Sequence, residues 1–462
     1  MVFGYPPRKK ENRTPVGDYL PAHLEPGALE AAYEPKGVAA STVAPVAADV
    51  ATRAKTSSLV RPSAAFRTSN PNRIMLTTFQ TGHGFSQAVT SSYNYNDTTD
   101  YVLGSQSAYI VTNGAGGQAI LTKSNAVTLD MTGKVFAVLL KVTNLANLNR
   151  ITMLAGSGGF ANNYQIQLQA SNTLTDQEIT PEGRWIWVTL PWNPSAVSGT
   201  PARNAITDLR IAVVDNNTGQ QVKVQVQAIA TQAERVAYPN GVVSIGFDDN
   251  WVSQSTLAIP YLDKYGYQPT VYSIVDMIGT AGRQTLTQLK RIEEYSGGEV
   301  AAHSWTNATH TAGFTGVSAA TLDNELQLMK QWLIDNGFQG RELLAYPMGN
   351  FNASVMDIAA KYYKFARTVN IRQQETQPPG NPYTCRAQSS TNTVTLAQIT
   401  AQIDAAYANG TWLNLLYHDI TTGTASGSVQ VTQANFQGAI DYIAQKGIPV
   451  RTVSQVLKAT AP

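Results

Sequence analysis

At 462 residues the chain is long enough for two or three domains, and a 43% hydrophobic content supplies sizeable cores. Charged residues make up only 14%, against roughly 25% in an average soluble domain, and the net charge of +2 offers no electrostatic footprint for a nucleic-acid partner. The single cysteine, Cys385, excludes an intrachain disulfide framework and reads as a buried or loop thiol; no run approaches the ~20 apolar residues that a membrane span needs.

Thr, Asn, Gln and Ser must therefore supply the polar surface, a composition suited to work outside cells or on carbohydrate. Residues 1–73 carry Pro, Ala and Ser without periodicity and hold ten Lys/Arg against six Asp/Glu. They read as an arm, either a flexible leader or a segment that orders on a partner. The opening MVFGYPPRKKENR places charges and prolines where a signal peptide has its apolar core, so no secretory signal is expected.

From 74 to 232 the hydrophobic period is two. In QVKVQVQA, Val222, Val224 and Val226 share a face, and in NYQIQLQ, Tyr164, Ile166 and Leu168 do. Gly- and Asn-rich turns such as TNGAGG separate these short runs, which predicts a β-sandwich of jelly-roll type, a recognition or assembly module. Trp185, Trp187 and Trp192 are either core residues or a platform for a flat ligand. A linker, 233–241, ends in a turn.

Beyond it, over 242–462, strands alternate with helices. TVYSIV, EVAAH, ELLAYP, FARTV and WLNLLYH read as strands. TLTQLKRIEEY, a long helix capped by Ser318, ASVMDIAAKYY, TLAQITAQIDAAYANG and TQANFQGAIDYIAQKG lie between or after them. Such alternation predicts a parallel sheet with its chemistry at the C-terminal strand ends. Those ends carry Asp248 and Asp249, His303, Tyr346-Pro347, Arg367 and His418. Three of the chain's five histidines (His303, His310, His418) sit in or beside them. Two adjacent aspartates repel each other, and a bound cation relieves that repulsion while one carboxylate binds it and the other faces its water.

GFDDN at 246–250, HSWTN at 303–307, AYPMGN at 345–350 and LLYHD at 415–419 follow one another in the order of four motifs of a known family. On these residues the region 241–457 resembles the polysaccharide deacetylase domain of carbohydrate esterase family 4. The resemblance implies a distorted β/α barrel and a metal-dependent N- or O-deacetylase acting on an acetylated polysaccharide. It makes Asp248 the general base, Asp249 and His303 ligands of a divalent metal, usually zinc, and His418 the general acid. The Met348 N–H would meet the oxyanion, and Leu416 and Tyr346 would line the acetyl pocket; Arg367 matches no motif of the family, and its expected role, orienting Asp248, is inferred from its charge at a strand end. Asn307 stands where the family has its second metal-binding histidine. Motif register therefore selects Asn307 as third ligand, whereas ligand chemistry selects His310, carried inward by a longer loop. Trp251 and Trp305 flank the site as candidates for sugar stacking.

The combination of arm, β-module and deacetylase-like domain, with no signal peptide, is similar to a bacteriophage tail spike or tail fibre. That implies attachment to the virion baseplate or tail through 1–73, a homo-oligomer such as a trimer, and action on a capsule or other bacterial surface polysaccharide. The competing readings are a non-catalytic binding or structural protein with a degenerate deacetylase domain, and a bacterial peptidoglycan- or chitin-type deacetylase.

Overall fold

The computed structural model describes residues 73–88, 92–124, 128–170, 181–234, 237–369 and 374–460. The arm expected over 1–73 thus lies outside the described residues apart from Arg73. All described residues fall within one compact unit.

Residues 73–233 form two antiparallel sheets of six strands each. In the first, Lys223–Ala233 and Lys134–Thr143 lie centrally and pair along most of their length, with Ile186–Thr189 beyond. In the second, Leu148–Ser157 pairs with Asn162–Ala170 and Asp208–Asp215. The period-two pattern forms strands because alternate side chains leave a pleated chain on opposite faces. Here both faces of Lys134–Thr143 are largely buried. Trp185 and Trp187 belong to a buried cluster with Ala137, Leu139, Ala228 and Ala230, and Arg73 lies 4.5 Å over the Trp187 ring. Trp192 packs on Phe136 and Tyr164 beneath the Arg203 guanidinium. The three tryptophans are therefore packing residues and form no open platform.

Residues 242–417 supply a seven-stranded parallel sheet. Its order is Phe365–Arg367, Gly340–Ala345, Glu299–Ser304, Pro269–Ile274, Val242–Asp248, Trp412–Tyr417, Gln388–Ser389. Helices connect these strands, among them Leu286–Glu294, Ala319–Asp335, Ala353–Tyr362 and Leu396–Asn409, with Gln433–Lys446 following the last strand. Side-chain hydroxyls of Thr285, Ser318, Thr395 and Thr432 cap their N-termini, satisfying N–H groups that have no carbonyl within the helix. Inward positions Val242, Tyr272, Ala301, Leu343, Ala345, Phe365 and Trp412 form one buried cluster with Cys385. Phe247 faces the other way and packs on Tyr417 and on Phe436 of Gln433–Lys446.

The two edges of this sheet are joined by one segment, 374–390. Cys385 bridges in parallel to Arg367 at one edge, and Gln388–Ser389 pairs with Trp412–Tyr417 at the other. The same segment docks on the antiparallel sheets. Arg386, buried, pairs with Glu375 at 2.9 Å and donates to the Thr189 carbonyl at 3.1 Å. Gln232 donates to Pro378 O and Arg73 to Gly380 O. Gly380 is required by this approach, since a Cβ there would come within 2.7 Å of Thr189 Cβ.

Candidate metal centre and acid–base cluster

Val242–Asp248 is buried along its whole length and delivers Asp248 to the mouth of the barrel. Gln254 Nε2 fastens this strand end by donating to the carbonyls of Asp248 (2.6 Å) and His418 (3.1 Å). The chain then turns sharply. Asp249 (φ 69°) and Asn250 (φ 56°) both adopt left-handed backbone, a conformation that Asp and Asn accept more readily than other non-glycine residues. A strand would send the two aspartates to opposite faces; the turn brings both carboxylates to the same site. Asn250 secures it by accepting the Ile274 N–H on its side chain (2.6 Å) and the Gln284 N–H on its carbonyl (2.7 Å). Arg283 adds a bond from Nη1 to Asp249 O at 2.6 Å and lies 3.7 Å over the Trp251 ring.

Arg367, wholly buried, reaches Asp248 from four strands away, Nη2 lying 2.6 and 2.8 Å from the two carboxylate oxygens. Four strand spacings on a flat sheet are about 19 Å, so only a curled sheet allows this pair. Burial disfavours the Arg367 cation, but the Asp248 charge outweighs it and holds the guanidinium above its ordinary pKa.

His303 is the penultimate residue of the strand Glu299–Ser304. Its Nδ1 lies 2.9 Å from the Ala345 carbonyl, which can only accept, so Nδ1 carries the proton and Nε2 presents a lone pair to the site. That Nε2 is 3.4 Å from Asp249 Oδ1 and 3.6 Å from Asp248 Oδ2. His310 Nε2 lies 3.1 Å from His303 Nε2 and 3.2 Å from Asp249 Oδ1. Asp249, His303 and His310 thus form a group with ligand atoms close enough to hold one metal ion. Burial opposes ionisation of Asp249, yet the two imidazoles prevail and hold its carboxyl far below the usual range.

The donor set fits a metal. Bonds of about 2.1 Å in tetrahedral geometry place donor atoms about 3.4 Å apart, close to the 3.1, 3.2 and 3.4 Å found here. Asp249 Oδ1 is buried without a hydrogen bond despite its two nearby nitrogens.

Asn307 does not join this group. It is exposed and opens the short helix Asn307–Ala312, its N–H donating to both oxygens of Asp276 at 2.8 and 2.9 Å. Thr306 caps that helix and is itself held by the Glu325 carboxylate. The extra residues after His303 are this helix, not an irregular loop, and it is His310 in its last turn that reaches the other donors. The geometry thus gathers the alternative ligand, His310, with the other two donors, and not Asn307, the residue that motif register favours.

His418 follows the strand Trp412–Tyr417, its Nε2 3.8 Å from Asp248 Oδ2 and its Nδ1 buried without a partner. Burial keeps its imidazole below the ordinary pKa against the pull of the two aspartates. Met348 is half-exposed with left-handed backbone (φ 56°) in the turn Pro347–Gly349. Leu416 is buried two residues before His418 on the same face. Tyr346 is buried between Phe351 and Phe314, so its ring belongs to packing beneath the site. Trp251 has one face occupied by Arg283, and Trp305 is half-buried beside the His303 strand end.

Residues 235–364 match the polysaccharide deacetylase family. That segment is thus similar to a polysaccharide deacetylase domain. The match spans Asp248, Asp249, His303, His310 and the 345–350 turn, and stops short of Arg367 and His418. A Bacillus subtilis (strain 168) protein bearing the name polysaccharide deacetylase YxkH is 30% identical over 122 residues, 26% of this chain and 41% of its own length. The chain thus spans about two fifths of the length of the curated relative it matches. Among solved structures, the CE4 domain of a multidomain xylanase from the hindgut metagenome of Trinervitermes trinervoides aligns at 19% identity with a TM-score of 0.35, over 47% of this chain and 90% of that one. The peptidoglycan deacetylase PdaC of Bacillus subtilis aligns at 16% with a TM-score of 0.33, over 48% and 91%. No helix among the described residues is long and apolar enough to cross a membrane.

Arg283, Asp276, Glu325 and Gln254 escaped the sequence reading. Each acts on backbone of the site and carries no motif; only the polar Asp276, directly after the apolar run TVYSIV, gave a local signal.

Proposed function

We propose that this chain is a metal-dependent deacetylase that hydrolyses acetyl groups, as amide or ester, on a polysaccharide. One observation carries the reading: Asp249, His303 and His310 converge on a common point beside an aspartate, Asp248, that an arginine holds from across the barrel. Zinc suits the two imidazoles and one carboxylate best. A divalent metal bound there would polarise the acetyl carbonyl and acidify the attacking water.

Asp248 takes the proton from that water as its oxygen bonds to the acetyl carbon. Arg367 fixes the orientation of Asp248 and balances its charge. The Met348 N–H, on its left-handed turn, would donate to the oxygen that becomes negative. His418 gives a proton to the departing amine or alcohol as the carbon–heteroatom bond breaks, and acetate is left. Leu416 contributes apolar surface for the methyl group.

The reading extends to the setting: a phage tail spike, with the antiparallel module serving recognition or assembly, residues 1–73 serving attachment, and a trimer as the working form. Its support is the amide- and hydroxyl-rich composition and the β-module joined to the deacetylase domain. Acetate release across capsules, O-antigens, chitin oligomers, acetylxylan and peptidoglycan tests the activity. Release from none of them by metal-loaded protein defeats the enzyme reading in favour of a binding protein. Light scattering of the full chain tests the trimer.

A further inference from the structure

A cleft of about 280 Å³ lies where the antiparallel module meets the barrel. Its floor includes the buried Ile166 and Leu190. Its walls present Gln167, Asn193 and Ser195 from the module and Gln402 from the helix Leu396–Asn409. No residue lining it is charged. Gln374 braces the barrel wall, its Nε2 donating to Gln402 O at 2.7 Å and Gln402 Oε1 at 3.1 Å. With its Oε1 thus engaged as an acceptor, Gln402 retains an Nε2 donor for a ligand.

Side-chain amides each offer a donor pair and an acceptor, the mixture that matches sugar hydroxyls, themselves donors and acceptors. Leu190, Pro191 and Pro194 offer apolar surface for the C–H faces of a pyranose. An acidic or basic ligand would find no counter-charge, and its desolvation would go uncompensated. We infer that this cleft is a second glycan site, taking a neutral sugar segment of the polymer that the deacetylase centre acts on. The identity of that polymer rests on the function proposed above; the existence of the site does not.

The cleft and the metal centre lie at opposite ends of the barrel. The cleft uses Gln402 at the middle of the helix, Ala405 and Asn409 from the half that leads into Trp412, and Gln374, whose neighbour Glu375 bridges to Trp412, whereas the donors sit at the other ends of the strands. A six-residue strand is about 20 Å long. A sugar held in the cleft therefore cannot touch the reacting acetyl group. It acts by tethering, raising the local concentration of polymer around the centre.

The test uses full-length protein in a D248N background, titrated calorimetrically with the neutral probes chitopentaose and xylopentaose, and with a pentagalacturonate as charged control. Ala405→Trp fills the cleft from a half-buried helix position, and Gln402→Ala removes one donor without adding bulk. The expected result is saturable binding of at least one neutral probe, with one binding class weakened more than tenfold by A405W and about fivefold by Q402A. In the otherwise native enzyme, A405W should raise KM for polymer and leave kcat, and turnover of a small aryl acetate, unchanged. Denaturant unfolding checks that A405W folds, and Q402A carries the test if it does not. Saturable binding of neither neutral probe, binding that both variants leave unchanged, or preference for the galacturonate overturns the inference. Failure of acetate release with cleft binding intact would count against the deacetylase reading alone.

Discussion

His310→Ala should remove most of the metal affinity, and Asn307→Ala should leave it nearly intact. Of the three donor separations that frame the centre, two involve His310 Nε2, at 3.1 and 3.2 Å; only the 3.4 Å pair between Asp249 and His303 survives its loss. Removing a group that merely supports a ligand already costs 10- to 100-fold in affinity, so loss of the ligand itself should cost about 100-fold or more, about 2.8 kcal/mol. Metal that binds the folded state stabilises it by RT ln(1 + [M]/Kd). At a free metal concentration of 100 times the native Kd, that is about 2.7 kcal/mol for the native chain. A 100-fold weaker site leaves about 0.4 kcal/mol. Urea unfolding with and without buffered zinc, alongside metal content after dialysis, reads both quantities. If H310A keeps its metal and its zinc-dependent stabilisation while N307A loses them, the short helix must rearrange on binding, and the assignment of His310 is wrong.

Asp248→Asn should lower kcat by about 10² to 10⁴ while the metal is retained; near-native turnover on an acetylated oligosaccharide would remove Asp248 as base. Glu375→Ala leaves the buried Arg386 cation without its partner, and should cost about 3 to 5 kcal/mol in denaturant unfolding. Less than about 1 kcal/mol would mean that water reaches this junction. Glu299 accepts from Thr270 Oγ1 and the Ser454 N–H, and burial pushes its pKa above the ordinary 4.5. Because the folded state holds this proton more tightly, its contribution is full below about pH 4.5 and fades as pH rises through the raised value. Glu299→Gln cannot ionise, so its stability relative to the native chain should improve between pH 4 and pH 8; a constant difference across that range would show that folding leaves this carboxyl's pKa unshifted.

The strand ends were legible because each is a run of buried apolar residues closed by one polar residue, as in GFDD and LLYH, and only a parallel sheet needs that pattern repeatedly. The long helices were legible through Ser318 and Gly337 at their limits and through their 3.6-residue period. No residue pattern announces Gln388–Ser389, too short for any periodicity, or the final helix Val453–Thr460. Strand alternation alone would send Asp248 and Asp249 to opposite faces; the turn that brings both to one site was not legible, since φ at 249 and 250 depends on tertiary bonds to Ile274, Gln284 and Arg283. His310 was ambiguous for a related reason: residue spacing does not say whether seven positions after a strand end form a loop or a capped helical turn.

The left-handed pair at 249 and 250 also limits how the centre can be retuned. A metal site is usually shifted toward a softer or harder ion by exchanging one ligand, such as aspartate for histidine, cysteine or glutamate. At position 249 exchange for cysteine or glutamate puts a residue less tolerant of left-handed backbone than aspartate into a conformation that costs roughly 1 to 2 kcal/mol for ordinary L-residues, and histidine adds a bulkier ring. Any exchange must also keep the Arg283 bond to the same carbonyl. Histidines 303 and 310 stand on right-handed or extended backbone and are free of that restriction. Directed evolution of metal preference in this protein should therefore accumulate changes at 303 and 310 and leave the carboxylate of 249 as the fixed point around which they vary.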